Sequence, residues 1–391
     1  MPSPPPLGAL RDAVNARRGR FLDELEQLVN TDCGSYTPAG VNEVASFCAD
    51  ALRALGAGVA RIPHLPQGDE RQLGDFVVGR IAGDGPRVLL IGHMDTVFEP
   101  GTAAERPYRV EGSRALGPGV TDMKAGLLAG LHAIEALISA SSLPQLTFVC
   151  NPDEEIGSPF STPLIRNLAS EHDVALVLEC ARANGDIVSA RKGITDARAR
   201  FAGRAAHAGI EPEKGRSAVL AASHATIALH RLNGRWPTVT VNVGTFRGGT
   251  RPNVVAAAAE LEIDVRAASV AEFDEAWGAV AATLDEPAVP DVEITLERTA
   301  FHPPMERSEA AVRLVALGSR LAGELGFEIR DAATGGASDA NTTAAAGLPT
   351  LDGLGPIGGD DHSADEWLDL DSIVPRTTLL AGMISRIDEA L

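Results

Sequence analysis

Short, wholly apolar runs that stop at an acid or an imidazole recur through the first half of this chain, and they constrain the fold more than any other feature. RVLLIG (87–92) runs into His93, LTFVC (146–150) into the acidic stretch NPDEE, and VALVL (174–178) into Glu179. Helical patterns separate them, from about Met123 to Ser139 and from about Thr162 to Ser170. A strand that is apolar on both sides needs cover on both faces, and its alternation with helices predicts βαβ units in a largely parallel sheet. Ahead of these runs, apolar residues at helical spacing predict two opening helices, from about Ala9 to Asn30 and from Val41 to Leu55.

Past Ile187 the pattern changes. ITDARARFAG, a helix near Ala218 to Leu232, the alternating segments PTVTVNVGTF and AELEIDVRA, a helix near Ala271 to Leu284 and VEITLERTA read as strand, helix, two strands, helix, strand. Clean alternation implies one covered and one open sheet face. With 391 residues, 45% of them hydrophobic, the chain can bury two cores. The expectation is an α/β protein. Its main, mostly parallel-sheet domain occupies 1–190 and 303–391, and a satellite α+β domain of four strands and two helices occupies 191–302.

Composition excludes several functions. A formal net charge of −19 offers no basic footprint for nucleic acid or an anionic membrane surface. Cys33, Cys48, Cys150 and Cys180 lack CxxC spacing, which predicts reduced thiols and a cytoplasmic location. The N-terminal stretch has no continuous apolar core of a secretory signal, and the apolar AGLLAGLHAIEALISA is interrupted by His132 and Glu135, so no membrane span is expected.

The residues that can do chemistry follow the apolar runs. In IGHMDTV, His93 and Asp95 are two apart and share a strand face at its carboxyl end, where open α/β sheets bind ligands. Alone, that pair equally suits a histidine bonded to a turn aspartate. Asp122, in GPGVTDMKAG, lies between a glycine turn and a helix start, a position also favourable to any acid through the helix dipole. The adjacent Glu154 and Glu155 repel each other and must lose solvent, from which a bland fold gains nothing. One can ligate a metal while its neighbour handles protons. Glu179 ends its apolar run, and His362 sits in the polar loop GGDDHSADE. Two imidazoles with the carboxylates of Asp122, Glu155 and Glu179 suffice for two divalent ions sharing one bridging carboxylate. The three carboxylates nearly balance the two cations, and without them the cluster would repel itself.

In order and spacing, IGHMDTV, GPGVTDMKAG, NPDEEIGS, LVLECA, GRAAHAGIEPEKGRSAV, TGGASD and DHSADE resemble the di-zinc aminoacylase and carboxypeptidase family of metallopeptidases, and within it the bacterial glutamate carboxypeptidases. The resemblance implies a catalytic domain split by an inserted dimerisation domain, hence a homodimer. It makes Asp122 the bridging ligand, with His93 and Glu179 on one zinc and Glu155 and His362 on the other. Cobalt or manganese would also suit such donors. Asp95 would orient the His93 ring through its free nitrogen, and a cis peptide would follow Asp122. Glu154 would be the general base and His207 would steady the oxyanion. Arg266 and Asn253, with the backbone at Gly336, would grip the free carboxylate of a small-molecule substrate. The implied activity is removal of a C-terminal amino acid, glutamate among the candidates, from an N-acyl or peptide substrate. Within the same family, the alternatives are an acetylornithine or succinyl-diaminopimelate type deacylase or a dipeptidase. A non-catalytic metal-binding protein on this fold is the alternative of another class.

Overall fold

The computed structural model describes residues 4–391 and divides into two units. Unit one comprises the residues up to Ser189, Arg307–Ala333 and Ser338–Leu391; unit two comprises Ala190–Glu306 and Thr334–Ala337.

Three helices, α1 (Leu7–Asn15), α2 (Arg18–Val29) and α3 (Pro38–Ala54), open unit one, where the apolar spacing predicts two. The break falls at Ala16 and Arg17, where Arg17 turns its guanidinium back onto the Ala13 carbonyl at 2.7 Å. The apolar stripe of α1 and α2 runs on across this turn (Leu10, Val14, Phe21, Leu25), so hydrophobic spacing cannot reveal it.

The central sheet of unit one is six-stranded and mostly parallel. β3 (Arg87–His93) lies between β4 (Gln145–Asn151) and β5 (Val174–Val177), parallel to both, and the short strand Thr350–Leu351 extends the parallel set beyond β5. At the other edge, β1 (Gly58–Ile62) and β2 (Phe76–Ile81) run antiparallel, a reversal that a largely buried run such as FVVGRI does not announce. Val88 to Ile91 are fully buried, as expected of a strand covered on both faces. Part of that cover is helix α4 (Ala125–Ser139), apolar nearly all round and buried accordingly. Gly126 permits its close approach, since a Cβ there would lie 2.1 Å from the Leu178 carbonyl oxygen. Helices α5 (Ser161–Ala169), α8 (Glu309–Leu325) and α9 (Ile373–Ile384) also belong to this unit.

Unit two is built on a four-stranded antiparallel sheet in the order β7 (Thr240–Gly248), β8 (Ala258–Ala267), β6 (Gly193–Ala202), β9 (Glu293–His302). Its helices are α6 (Ala218–His230) and α7 (Val270–Asp285). Ala259, Leu261, Ile263 and Val265 alternate into a core shared with Phe273, Ala276 and Val280 of α7. The intervening residues carry charge, and Arg200 bonds Glu260 and Glu297, each at 3.1 Å, across three adjacent strands.

All four cysteines are free and buried. Among the described residues, no helix is long and apolar enough to cross a membrane.

Candidate active site

The carboxyl ends of β3, β4 and β5 meet on one side of the parallel sheet, and each delivers side chains to the same place. His93 is the last residue of β3 and pairs in register with Asn151, the last of β4. Glu154 and Glu155 follow on a one-turn helix, Glu154–Ile156, and Glu179 lies two residues beyond β5. Asp122 arrives from the loop before α4, where its backbone is non-helical and the Asp122–Met123 peptide is cis. His362 comes from a polar loop in the left-handed backbone region, at φ 61°.

Asp122 holds the centre with one carboxylate oxygen for each imidazole. Its Oδ1 is 3.0 Å from His93 Nε2, and its Oδ2 is 3.2 Å from His362 Nε2. His93 Nε2 also lies 3.7 Å from Glu179 Oε1, and His362 Nε2 lies 3.0 Å from Glu155 Oε2. Two groups of potential ligands result, His93–Asp122–Glu179 and Asp122–Glu155–His362, with the donor atoms of each group within 4.8 Å of one another and Asp122 common to both.

The electrostatics show what this donor set requires. Hydrogen bonds to Asp122 and Glu155 push His362 up to about 11. Burial would lower His93, but Glu179, Asp122 and Asp95 reverse that and hold it well above the ordinary imidazole value. Asp122 is held far below the carboxylate range by both imidazoles, despite the burial that opposes its ionisation. Carboxylates and imidazoles arranged to favour positive charge at two adjacent positions suit a pair of divalent cations, and those donors match zinc, cobalt or manganese.

Asp95 meets the second ring nitrogen of His93 with two groups. His93 Nδ1 is 3.0 Å from the Asp95 backbone carbonyl and 3.5 Å from its carboxylate, so the carbonyl is the nearer partner that sets the ring. The Asp95 carboxylate also accepts the backbone N–H groups of Glu154 and Glu155, at 3.0 and 3.1 Å, and the Ser35 hydroxyl at 2.7 Å. It thereby fixes the turn that carries both glutamates. Burial, reinforced by Glu179 and Glu155 against the pull of His93, raises the proton affinity of Glu154 well above that of an ordinary glutamate.

Several supporting residues escape a reading of the sequence. Glu366, 1% exposed, accepts the backbone N–H groups of Gly119 (2.9 Å), Thr121 (2.9 Å) and Asp122 (3.1 Å). These bonds pin the loop that presents Asp122. Behind the Glu154 turn, buried Asp339 takes bonds from Asn151 (2.6 Å) and Ser158 (2.7 Å). Asp153, which burial pushes up to about 7, takes the Phe160 N–H at 2.7 Å and the Ser161 hydroxyl. An acid beside a chemical motif was the signal available for Glu366 and Asp153, but their partners are backbone groups and a hydroxyl, which motif spacing does not show. Glu366→Ala would leave three buried N–H groups without an acceptor and loosen Asp122. We expect metal affinity to fall about 10–100-fold, the usual effect of removing an outer-shell support, in a chelator-competition titration. An unchanged affinity would mean that the loop holds Asp122 unaided.

The remaining candidates lie in unit two. His207 and Val254 pair in a two-stranded ribbon, the Ala208 N–H donates to the Asn253 carbonyl at 3.0 Å, and both His207 and Asn253 are exposed. Arg266 is engaged by Asp264 of its own strand, with Nη2 3.0 Å from Oδ2, and its Nη1 donates to the Gly335 carbonyl at 2.9 Å. The next carbonyl, that of Gly336, accepts Arg191 at 3.2 Å.

The sequence pattern of Peptidase family M20/M25/M40 matches residues 89–386, which takes in every candidate residue above. The chain belongs to peptidase family M20/M25/M40. It is accordingly a hydrolytic enzyme. Among M20 relatives it is 32% identical to carboxypeptidase G2 of Pseudomonas sp. (strain RS-16), over 96% of this chain and 91% of that protein. It is 25% identical to acetylornithine deacetylase of Proteus mirabilis (strain HI4320), over 95% and 97% of the two lengths. The M20 fold is seen also in the crystal structure of a tripeptidase from Staphylococcus aureus, which superposes with a TM-score of 0.77 at 23% identity and covers 95% of this chain and 98% of that one.

Proposed function

We propose that this protein is a two-metal amidohydrolase that removes a C-terminal amino acid, glutamate among the candidates, from N-acyl or peptide substrates. The observation that carries this reading is Asp122, which offers one oxygen to the His93–Glu179 group and the other to the Glu155–His362 group. Two divalent cations held by these five residues, zinc or in its place cobalt or manganese, would supply Lewis acidity, acidifying a water and polarising the scissile carbonyl. The rest of the work falls to the chain itself.

Glu154 stands outside both ligand groups yet is anchored beside them through its N–H to Asp95. It acts as general base, taking a proton from the attacking water. It returns that proton to the amine nitrogen as the carbon–nitrogen bond breaks. Its raised proton affinity suits the second half of this cycle, since a strongly acidic carboxyl would donate less readily to a poor leaving group. No covalent enzyme intermediate is required. His207 donates to the developing oxyanion, and Arg266, Asn253 and the backbone at Gly336 bind the substrate's free carboxylate. We place the enzyme in the cytoplasm as a homodimer joined through unit two.

The kinship with carboxypeptidase G2 supports the carboxypeptidase reading, and that with acetylornithine deacetylase keeps N-acyl amino acid deacylation as a second. A panel of N-acyl amino acids and dipeptides, read by amine release from protein of known metal content, separates them. Preferred cleavage of N-aroyl or folate-type glutamates is the expected result. Preference for acetylornithine would favour the deacylase. Two bound metals with no hydrolysis across the panel would instead indicate a binding protein.

A further inference from the structure

The charged face of the unit-two sheet carries a ladder of paired side chains that breaks at one rung. Across β8 and β6, Glu260 stands opposite Arg200 and Glu262 opposite Arg198, each an acid against a base. Contacts follow, with Arg200 Nε 3.1 Å from Glu260 Oε2 and Arg198 Nη2 3.7 Å from Glu262 Oε1. At the next rung Asp264 stands opposite Asp196, acid against acid. Like charges directly opposite one another weaken a sheet. Burial and Asp264 together raise the proton affinity of Asp196, while Arg266 and His302 oppose them. The sheet gains nothing from an acid at 264 on the side of its neighbour, so the contact Asp264 makes along its own strand is the informative one.

That contact is with Arg266. Arg266 Nε lies 3.0 and 3.1 Å from the two Asp264 oxygens, and Nη2 lies 3.0 Å from Oδ2, so the carboxylate is laid along one edge of the guanidinium. We propose that Asp264 is a positioning residue for substrate binding, holding Arg266 so that its terminal nitrogens meet the substrate's free carboxylate. The proposal rests on the role given to Arg266 above and adds the residue through which that role is set.

A count of donors defines what is left for a substrate. A guanidinium carries five N–H groups in one fixed plane. Asp264 takes one on Nε and one on Nη2, the Gly335 carbonyl takes one on Nη1, and two remain, one on each terminal nitrogen. With the Nε edge covered, a second carboxylate has only Nη1 and Nη2 to meet. The Gly335 acceptor is itself fixed. Three successive carbonyls, those of Thr334, Gly335 and Gly336, accept the Lys192 N–H at 3.0 Å, Arg266 at 2.9 Å and Arg191 at 3.2 Å. The guanidinium is therefore held at both sides of its plane before any ligand arrives.

Two effects of Asp264 oppose each other. As an anion it repels the substrate's carboxylate and offsets the charge of Arg266. Arg266 and Asp264 are 37% and 26% exposed, so water and salt screen that repulsion. As a tether it removes the rotamer freedom of a long side chain, which binding would otherwise have to remove. The tether prevails, and this fixes a sign. Loss of Asp264 weakens substrate binding, whereas a purely electrostatic role would make its loss strengthen binding.

The test uses full-length, zinc-loaded protein and the member of the N-acyl amino acid and dipeptide panel that the wild type cleaves fastest, since every member carries the free carboxylate. Asp264→Ala should raise KM about tenfold and leave kcat within about twofold, the pattern of a lost binding contact. Asp264→Asn keeps an oxygen for Nε and should raise KM only about threefold. Arg266→Ala should raise KM at least as far as Asp264→Ala does. Asp264→Ala added to Arg266→Ala should then have no further effect, because the acid acts only through the arginine. Melting temperature and metal content show that each variant is folded. An unchanged or lowered KM in both Asp264 variants, a fall in kcat alone, or a full effect of Asp264→Ala in the Arg266→Ala background would each overturn the proposal and leave the amidohydrolase reading standing. An unchanged KM in Arg266→Ala would remove the carboxylate-binding role of Arg266, and no turnover across the panel would remove the amidohydrolase reading; the proposal falls with either.

Discussion

Glu154→Gln should retain two metal ions per chain and lose turnover by about 10²–10⁴-fold, the range for removing a positioned acid–base group, or roughly 3–5 kcal/mol of transition-state stabilisation. Glutamine is close to glutamate in size and keeps the backbone N–H that donates to Asp95 at 3.0 Å, so the turn carrying Glu155 should stay in place. What it loses is a site able to accept a proton from water and pass it to nitrogen. The measurement is kcat with metal content determined on the same sample. The loss should fall on kcat, because the base is needed only once the substrate is bound. Wild-type turnover in the variant would remove Glu154 from the mechanism. Loss of metal along with activity would make it a ligand.

Asp122→Ala should have the larger effect on the metals. Each potential ligand group contains two other residues and shares Asp122, so one substitution removes a charged donor from both. The expected affinity loss at both positions exceeds about 100-fold, the upper end of what even an outer-shell partner contributes. Glu155→Ala provides the contrast, since Glu155 contacts His362 and belongs to one group alone. It should weaken one ion and leave the other. If Asp122→Ala released a single ion, as Glu155→Ala is expected to do, the carboxylate would not be shared.

The residues that make up the two potential ligand groups stand out in the sequence for a physical reason. A doubly covered strand must be apolar along its length, so the first polar residue past its end stands out, and His93 and Glu179 are both marked in this way. Glu154 and Glu155 stand out because adjacent acids after a buried strand need a partner. The support of the site was not legible. Glu366 acts through the N–H groups of residues about 245 positions away, and Ser35 through Asp95, 60 positions away. Backbone donors leave no mark on residue type. Asp95 was singled out by its spacing from His93, but spacing did not reveal that its carboxylate turns to the Glu154 and Glu155 amides. In the fold, the antiparallel edge at β1 and β2 was hidden because the residue types of a strand carry no sign of its direction. The Pro63–Leu73 segment, rich in proline, glutamine and charge, makes its ring contacts with Tyr36 and Phe160, residues distant in sequence, so its composition does not show them.

Anomalous diffraction from crystals of the zinc-loaded protein, collected on either side of the zinc edge, tests the central claim most directly. The account predicts two anomalous peaks per chain, one bounded by His93 and Glu179 and the other by Glu155 and His362, each in contact with an oxygen of Asp122. A single peak, or two peaks of which only one touches Asp122, would contradict it.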